Sequence, residues 1–453
     1  MDFIMAYTKN MTVGKPFPII FGYFIPVLCS TIFQQLYSMV DTIIVGKGID
    51  DMALAAVGAT GAITFFIFGF IMGLGNGMAV LMSQAFGAGD YNQLRKTITM
   101  GFISCGAVAI VVMILSLVAI RPMLVMLNTS PVILDDALLY VSIIIAGIPL
   151  TLIYNCLSAI LSALGDSKTP LIAVIISSII NVVLDIAFIM GLGMGVEGAA
   201  IATLIAQVLS GVFCFVKLYK IPYVHLKRED WKLDFSLIWS QFRIGVPVAF
   251  MNSVTAIGCL LLQYFVNMFG VNYTAAYTAC SKVSQFMTYP GTAVGAAMSV
   301  FAGQNLGAEK IDRIWEGIKC STKITLVMTV FTSALLLFAP RTMASIVLSD
   351  PEIIELSVDF LRICGIMGWS ISMLFVVRNA LQGMGFTVVP MLSGFLELIA
   401  RVVAILSLAS SLGYTAVAIA ETSAWFSAFV LNGIFLLIKL KKLRKKYILQ
   451  ENI

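Results

Sequence analysis

The sequence predicts an all-α integral membrane protein with twelve transmembrane helices in two six-helix lobes related by pseudo-two-fold symmetry. The first observation is composition: 60% of the 453 residues are hydrophobic and 11% charged, with a mean hydropathy of +1.00, which excludes a water-soluble domain. The second is the number of apolar runs near the ~20 residues that a helix needs to cross the hydrocarbon. The third is an internal repeat. Gln84-Ala85-Phe86-Gly87-Ala88 recurs as Gln304-Asn305-Leu306-Gly307-Ala308, an offset of 220 residues. Ala163-Leu164-Gly165 with Pro170 aligns on Gly383-Met384-Gly385 with Pro390 at the same offset, and the stretch from Gly195 to Ala202 aligns on Gly413 to Ala420 at 218. Three landmarks in one order divide the chain into homologous halves, a construction typical of transporters.

Segments 1 to 6 lie at 17–45, 53–82, 97–119, 133–162, 169–191 and 197–218, and segments 7 to 12 at 237–268, 272–302, 322–339, 353–383, 388–410 and 414–438. The expected division is an N-lobe at 1–220, a cytoplasmic linker at 221–236 and a C-lobe with a basic tail at 237–453. Six crossings per half make the repeats parallel. Of the 28 Lys and Arg, 21 fall on the side that holds both termini and the middle loop and 3 on the opposite side. That asymmetry places both termini and the middle loop in the cytoplasm, and the expected location of this multi-pass protein is the plasma (inner) membrane.

The net charge of +5 is thus a topology signal, and no nucleic-acid partner is expected. Lys439, Lys441, Lys442, Arg444, Lys445 and Lys446 read as a stop-transfer flank. The eight Cys are scattered singly in apolar runs, as small buried hydrophobes. No phosphate-binding Gly-x-x-x-x-Gly-Lys-Ser/Thr loop occurs, which argues against direct ATP drive. Without a membrane His cluster, a paired Ser and Lys or an acidic metal motif, an enzyme is not expected. No catalytic residue and no cofactor are assigned. Pro26 within segment 1 and its repeat mate Pro247 in segment 7 each remove a helical hydrogen bond, and Pro26 is a candidate hinge.

Charges inside the apolar runs carry the functional reading, because an ionised carboxylate at such depth is costly. Asp41 lies roughly 8 Å and Asp185 roughly 9 Å from the outer ends of segments 1 and 5, at ~1.5 Å per residue. Thr203 on segment 6 reaches about the same depth, and Asn181 shares a helix face with Asp185 at i, i+4. Asp41, Asn181, Asp185 and Thr203 are therefore expected to converge. Their hard oxygens suit a small cation such as Na⁺, and two adjacent carboxyls equally suit a proton. The alternative is that Asn181 and Asp185 only fix helix packing. Gln34, Tyr37 and Asn155 are weaker candidates for the same cavity. In the second half, Glu397 and Arg401 form an i, i+4 pair on segment 11, with Arg401 at the repeat position of Asn181; a structural salt bridge or a substrate contact are both open. Lys282, Arg378 and Glu421 have no partner legible in the sequence.

Together, two six-segment halves, Pro26 and Asp41 on segment 1, Gln84-x-x-Gly87-Ala88 with its copy, and Asn181-x-x-x-Asp185 resemble the multidrug and toxic compound extrusion (MATE) family, over essentially the whole chain. The resemblance implies the MATE fold and an antiporter that exports amphipathic, often cationic, small molecules in exchange for H⁺ or Na⁺, by alternating access of a cavity between lobes. Members of the prokaryotic DinF-like branch carry the ion site in the N-lobe, which implies Asp41, Asn181, Asp185 and Thr203 here. The family's other branch uses an acid on segment 7, where this chain has only Asn252, Gln263 and Asn267. Expected partners are the transported cations and membrane lipids, with the chain a monomer. The alternative is a lipid or lipid-linked saccharide flippase of the same superfamily, which Arg378 and Arg401 would serve as cationic lining.

Overall fold

The computed structural model describes residues 9–127 and 129–451. The first eight residues of the expected N-lobe, residue 128 and the last two residues of the tail lie outside the described residues. The described residues form no strand. Fourteen α-helices follow one another: α1 (Pro16–Gly48), α2 (Asp51–Gly87), α3 (Tyr91–Met126), α4 (Pro131–Ala146), α5 (Ile148–Ala163), α6 (Lys168–Asp185), α7 (Val196–Tyr219), α8 (Phe235–Phe269), α9 (Val271–Gly307), α10 (Ile311–Phe338), α11 (Pro340–Ser345), α12 (Pro351–Gly383), α13 (Val388–Leu412) and α14 (Thr415–Glu451).

Ten of these helices are long and apolar enough to cross a membrane, and α4 with α5, bent by 48°, makes an eleventh span. The twelfth is α9, which has 37 residues but a more polar composition, with Lys282 on it. Segment 4, expected as one straight run, bends because Pro149 has no N–H to return to the preceding turn. Leu204 also presses on Gly147 at the bend: a Cβ there would lie 2.6 Å from Leu204 Cδ1.

Most helices exceed the apolar runs. The 33 residues of α1 reach about 50 Å at ~1.5 Å per residue, against ~30 Å of hydrocarbon, so their ends continue into polar surroundings. Caps mark several starts: Asp50 accepts from the Ala53 N–H at 2.7 Å and Asp90 from the Gln93 N–H at 2.9 Å.

The chain forms two compact units: Met1–Asn10 with Pro26–Ala249, and Met11–Ile25 with Phe250–Ile453. The divisions thus fall inside α1 at Pro26 and inside α8 just after Pro247. In unit 1, Gly73 and Gly77 of α2 let the start of α8 approach backbone to backbone; a Cβ on Gly77 would lie 2.6 Å from Gly245 N. The stretch 221–236 also packs within unit 1. Arg95 of α3 meets Asp230 there, Nε to Oδ2 at 3.1 Å, with both side chains buried. Thr99 donates to the Asp230 carbonyl at 2.6 Å. His225 lies in the same stretch, its Nε2 2.7 Å from the Tyr219 carbonyl.

In unit 2 the repeated Gln-x-x-Gly-Ala landmark does a structural job. Gln304 accepts from the Met11 N–H at 2.8 Å, while Asn305 and Arg313 donate to the Met11 carbonyl at 3.3 and 3.1 Å. The repeat is also visible in the backbone. Gly165 and Gly385, 220 apart, have φ of 84° and 83°, and Gly89 at 72° is matched by Glu309 at 60°. Glu309 is the one non-glycine residue with positive φ among the described residues, a conformation that strains an L side chain.

Replacing exposed Glu309 with Gly is expected to stabilise the protein by up to about 1 kcal/mol, read as a higher melting temperature in detergent; an unchanged or lower value would contradict the strain. Arg95→Ala is expected to destabilise by about 3–5 kcal/mol, and Arg95→Met with Asp230→Asn by clearly less, because only the single change strands a buried charge. Equal melting temperatures for the two variants would show that the pair is not energetically coupled.

Candidate functional site

The site of unit 1 is built by α1, α6, α7 and α4. Asp185 closes α6, and the chain then runs through a π-helical turn, Ile186–Gly191, before α7. π turns insert one residue into the helical register and recur at functional sites. Asn181, one turn before Asp185, and Asp185 itself are fully buried. With its amide nitrogen turned toward the acid, Asn181 donates to Asp185 Oδ2 at 2.8 Å, and its oxygen accepts from Thr203 Oγ1 at 3.3 Å. Asp41 comes in from α1, its carboxyl within hydrogen-bond reach of Asp185. Tyr37, one turn earlier on α1, is hydrogen-bonded to Thr203. The four residues predicted to converge do so, with Tyr37 beside them.

Tyr140 of α4 lies near Asp41, Asp185 and Tyr37, and nothing in the sequence pattern singled it out. Val40, Val182 and Tyr140 pack against a buried apolar cluster that includes Ile44, Val45, Ile189, Val196 and Ala199. Val40 and Val182 are thus chain neighbours of Asp41 and of Asn181 that lie on this cluster. Of the other candidates, Gln34 is exposed on α1. Asn155 donates to the Thr151 carbonyl of its own helix at 2.8 Å.

The chemistry follows from the donor count. An ionised carboxylate only accepts, so two carboxyl groups in hydrogen-bond contact need a proton between them or a cation in its place. Oδ1 of Asp41 and Oδ1 of Asp185 are both buried with no donor among the described residues. Neither acid enters a salt bridge among those residues. Carboxylate and hydroxyl oxygens make a hard donor set that fits H⁺ or Na⁺. The described residues hold no cluster of three His, Cys, Asp or Glu that would suit a transition metal.

Unit 2 presents a different arrangement. Glu397 of α13 is bonded to Arg378 of α12 and lies 3.9 Å from Arg401 Nη1. Arg401 in turn holds Glu421 of α14, Nε to Oε2 at 3.0 Å and Nη2 to Oε1 at 3.4 Å. The i, i+4 pair legible in the sequence is thus the longest link of a four-residue chain, Arg378–Glu397–Arg401–Glu421. Arg378, Glu397 and Arg401 are buried, and two acids balance two bases.

The family model described as MatE matches residues 26–187 and 247–406. YoeA of Bacillus subtilis, named as a multidrug resistance protein, is 28% identical over 309 residues, 66% of this chain and 66% of that protein, so that the match spans just under two-thirds of the relative's length. NorM of Thermotoga maritima, also named as a multidrug resistance protein, is 26% identical over 391 residues, covering 83% of this chain and 81% of that one. A solved structure described as MATE in the bent conformation superposes with a TM-score of 0.90 over 96% of this chain and 98% of that chain, at 22% identity, which is a likeness of fold. With both halves matched over well beyond half of its length, the chain belongs to the MatE family of membrane transporters.

Proposed function

We propose that this protein is a secondary active multidrug efflux antiporter, exporting amphipathic cationic compounds from the cytoplasm in exchange for H⁺ or Na⁺ by alternating access. The observation that carries the reading is the buried contact between Asp41 and Asp185, which two like charges sustain only with a cation held between them. Thr203 and Tyr37 supply hydroxyl oxygens, Asn181 holds Asp185 through its amide N–H, and Tyr140 borders the site. Entry of the ion removes the repulsion between the acids and favours one conformation of α1, with Pro26 as the hinge. A ligand shifts such an equilibrium only by binding one state better than the other, so the ion and the drug must prefer opposite states. The names of the two curated relatives support drug efflux, the apolar spans support a multi-pass membrane protein, and the Lys and Arg asymmetry supports cytoplasmic termini, with the plasma membrane as the proposed location.

The flippase alternative needs cationic side chains free to meet a headgroup. Arg378 and Arg401, which the sequence offered for that role, are buried and paired with Glu397 and Glu421, so no observation favours it.

Ethidium efflux from proteoliposomes under an imposed pH or Na⁺ gradient tests the reading. Wild-type efflux should follow one gradient, and Asp41→Asn should lose roughly tenfold or more of it, equivalent to about 1.4 kcal/mol. Efflux that persists in well-folded Asp41→Asn would sink the ion site. Tyr140→Phe, which removes one hydroxyl beside the acids and no charge, is expected to shift the ion dependence of efflux by roughly two- to tenfold, the scale of about 0.5–1.5 kcal/mol for one polar group. An ion titration of efflux identical to wild type would place Tyr140 outside the site.

A further inference from the structure

The two halves are aligned closely enough to ask what unit 2 holds where unit 1 holds its acids. The offset of 220 places Ile405 at the position of Asp185, Phe360 at that of Tyr140 and Arg401 at that of Asn181. Pro26 and Pro247 set an offset of 221 for α1 and α8, which puts Leu262 at the position of Asp41 and Gly258 at that of Tyr37. The offset of 218 at the start of α7 and α14 puts Glu421 at the position of Thr203. Leu262, Ile405 and Phe360 are all buried in one apolar cluster. The hydrogen bond between Asn181 and Thr203 is thus replaced by the ion pair between Arg401 and Glu421. Room for the guanidinium comes from Gly258, where a Cβ would lie 2.8 Å from Arg401 Nη1.

Resting on the ion site proposed for unit 1, we infer that Arg401 is a tethered cation that fills the second half's copy of that site, so that only unit 1 exchanges an ion. Glu397 is bonded to Arg378, so Arg401 is the charge that balances Glu421. Arg401→Asn, which installs the residue of the first half, leaves that carboxylate unbalanced in a low-dielectric bundle. It then requires a proton or a monovalent metal ion.

The test counts cations held by the purified full-length protein, with radioactive sodium at equilibrium in one arm and a proton titration against wild type in the other. Arg401→Asn is expected to hold one more cation per chain than its parent, both in wild type and in Asp41→Asn, while Arg401→Lys and Arg401→Asn with Glu421→Gln hold none extra. The arm that responds identifies the cation. No gain in either background overturns the inference. Equal counts in wild type and Asp41→Asn overturn the ion site of unit 1 instead, which the gain at Arg401 does not depend on. If Arg401→Asn proves unstable, its melting temperature is followed against Na⁺ and acid. A rise with either supports the inference, since a ligand that stabilises is a ligand that binds, and indifference to both overturns it.

Discussion

Asp41 and Asp185 meet on unit 1 with no salt bridge to either acid among the described residues, and much of the local structure is arranged around that fact. In water two carboxylates would separate and hydrate. Here Asn181 spends one amide hydrogen on Asp185, and one oxygen on each acid has no donor among the described residues. The site is therefore short of positive charge, which a proton or a small cation would supply on the function proposed above. Beside it, Val40, Val182 and Tyr140 pack against an apolar cluster.

The same constraint is met differently in unit 2. Arg378, Glu397, Arg401 and Glu421 alternate in sign along three helices, so each charge has an opposite neighbour within 4 Å. Such a buried network balances itself and fixes helix positions, but contributes little net stability compared with apolar packing. Breaking it at one point is costly, which favours a permanent arrangement. The two halves of one repeated sequence thus hold an open charge and a closed one.

The sequence revealed the fold through its apolar runs and repeat landmarks, and the meeting of four polar side chains through depth. Counting along α1, α6 and α7 was enough to bring Asp41, Asn181, Asp185 and Thr203 together, because helices of fixed rise convert sequence position into height. Direction around the helix axis is less legible. Tyr140 looks like any aromatic residue of a buried helix until the bend between α4 and α5 sets its neighbours. Arg378 and Glu421 have partners on other helices, which spacing along one chain does not show, whereas the visible i, i+4 pair is the weakest contact of the network. Helix ends ran past expectation for a related reason: α10 begins at Ile311, where amphipathic turns continue the helix without an apolar signature.

The backbone distinguishes the halves in the same sense as the side chains. After Asp185 the helix gives way to a π turn through Gly191, whereas α13 continues as regular α-helix past Ile405 to Leu412. A π turn exchanges well-aligned hydrogen bonds for wider ones and lets the residue beside it shift at small cost. On the function proposed above, a carboxylate that holds an ion in one state and releases it in another needs that latitude. An arginine locked to a glutamate does not, and its helix retains the stiffer geometry. Thus Asp185 sits at an irregular helix end and Arg401 within a regular helix, as expected of a movable charge and a fixed one.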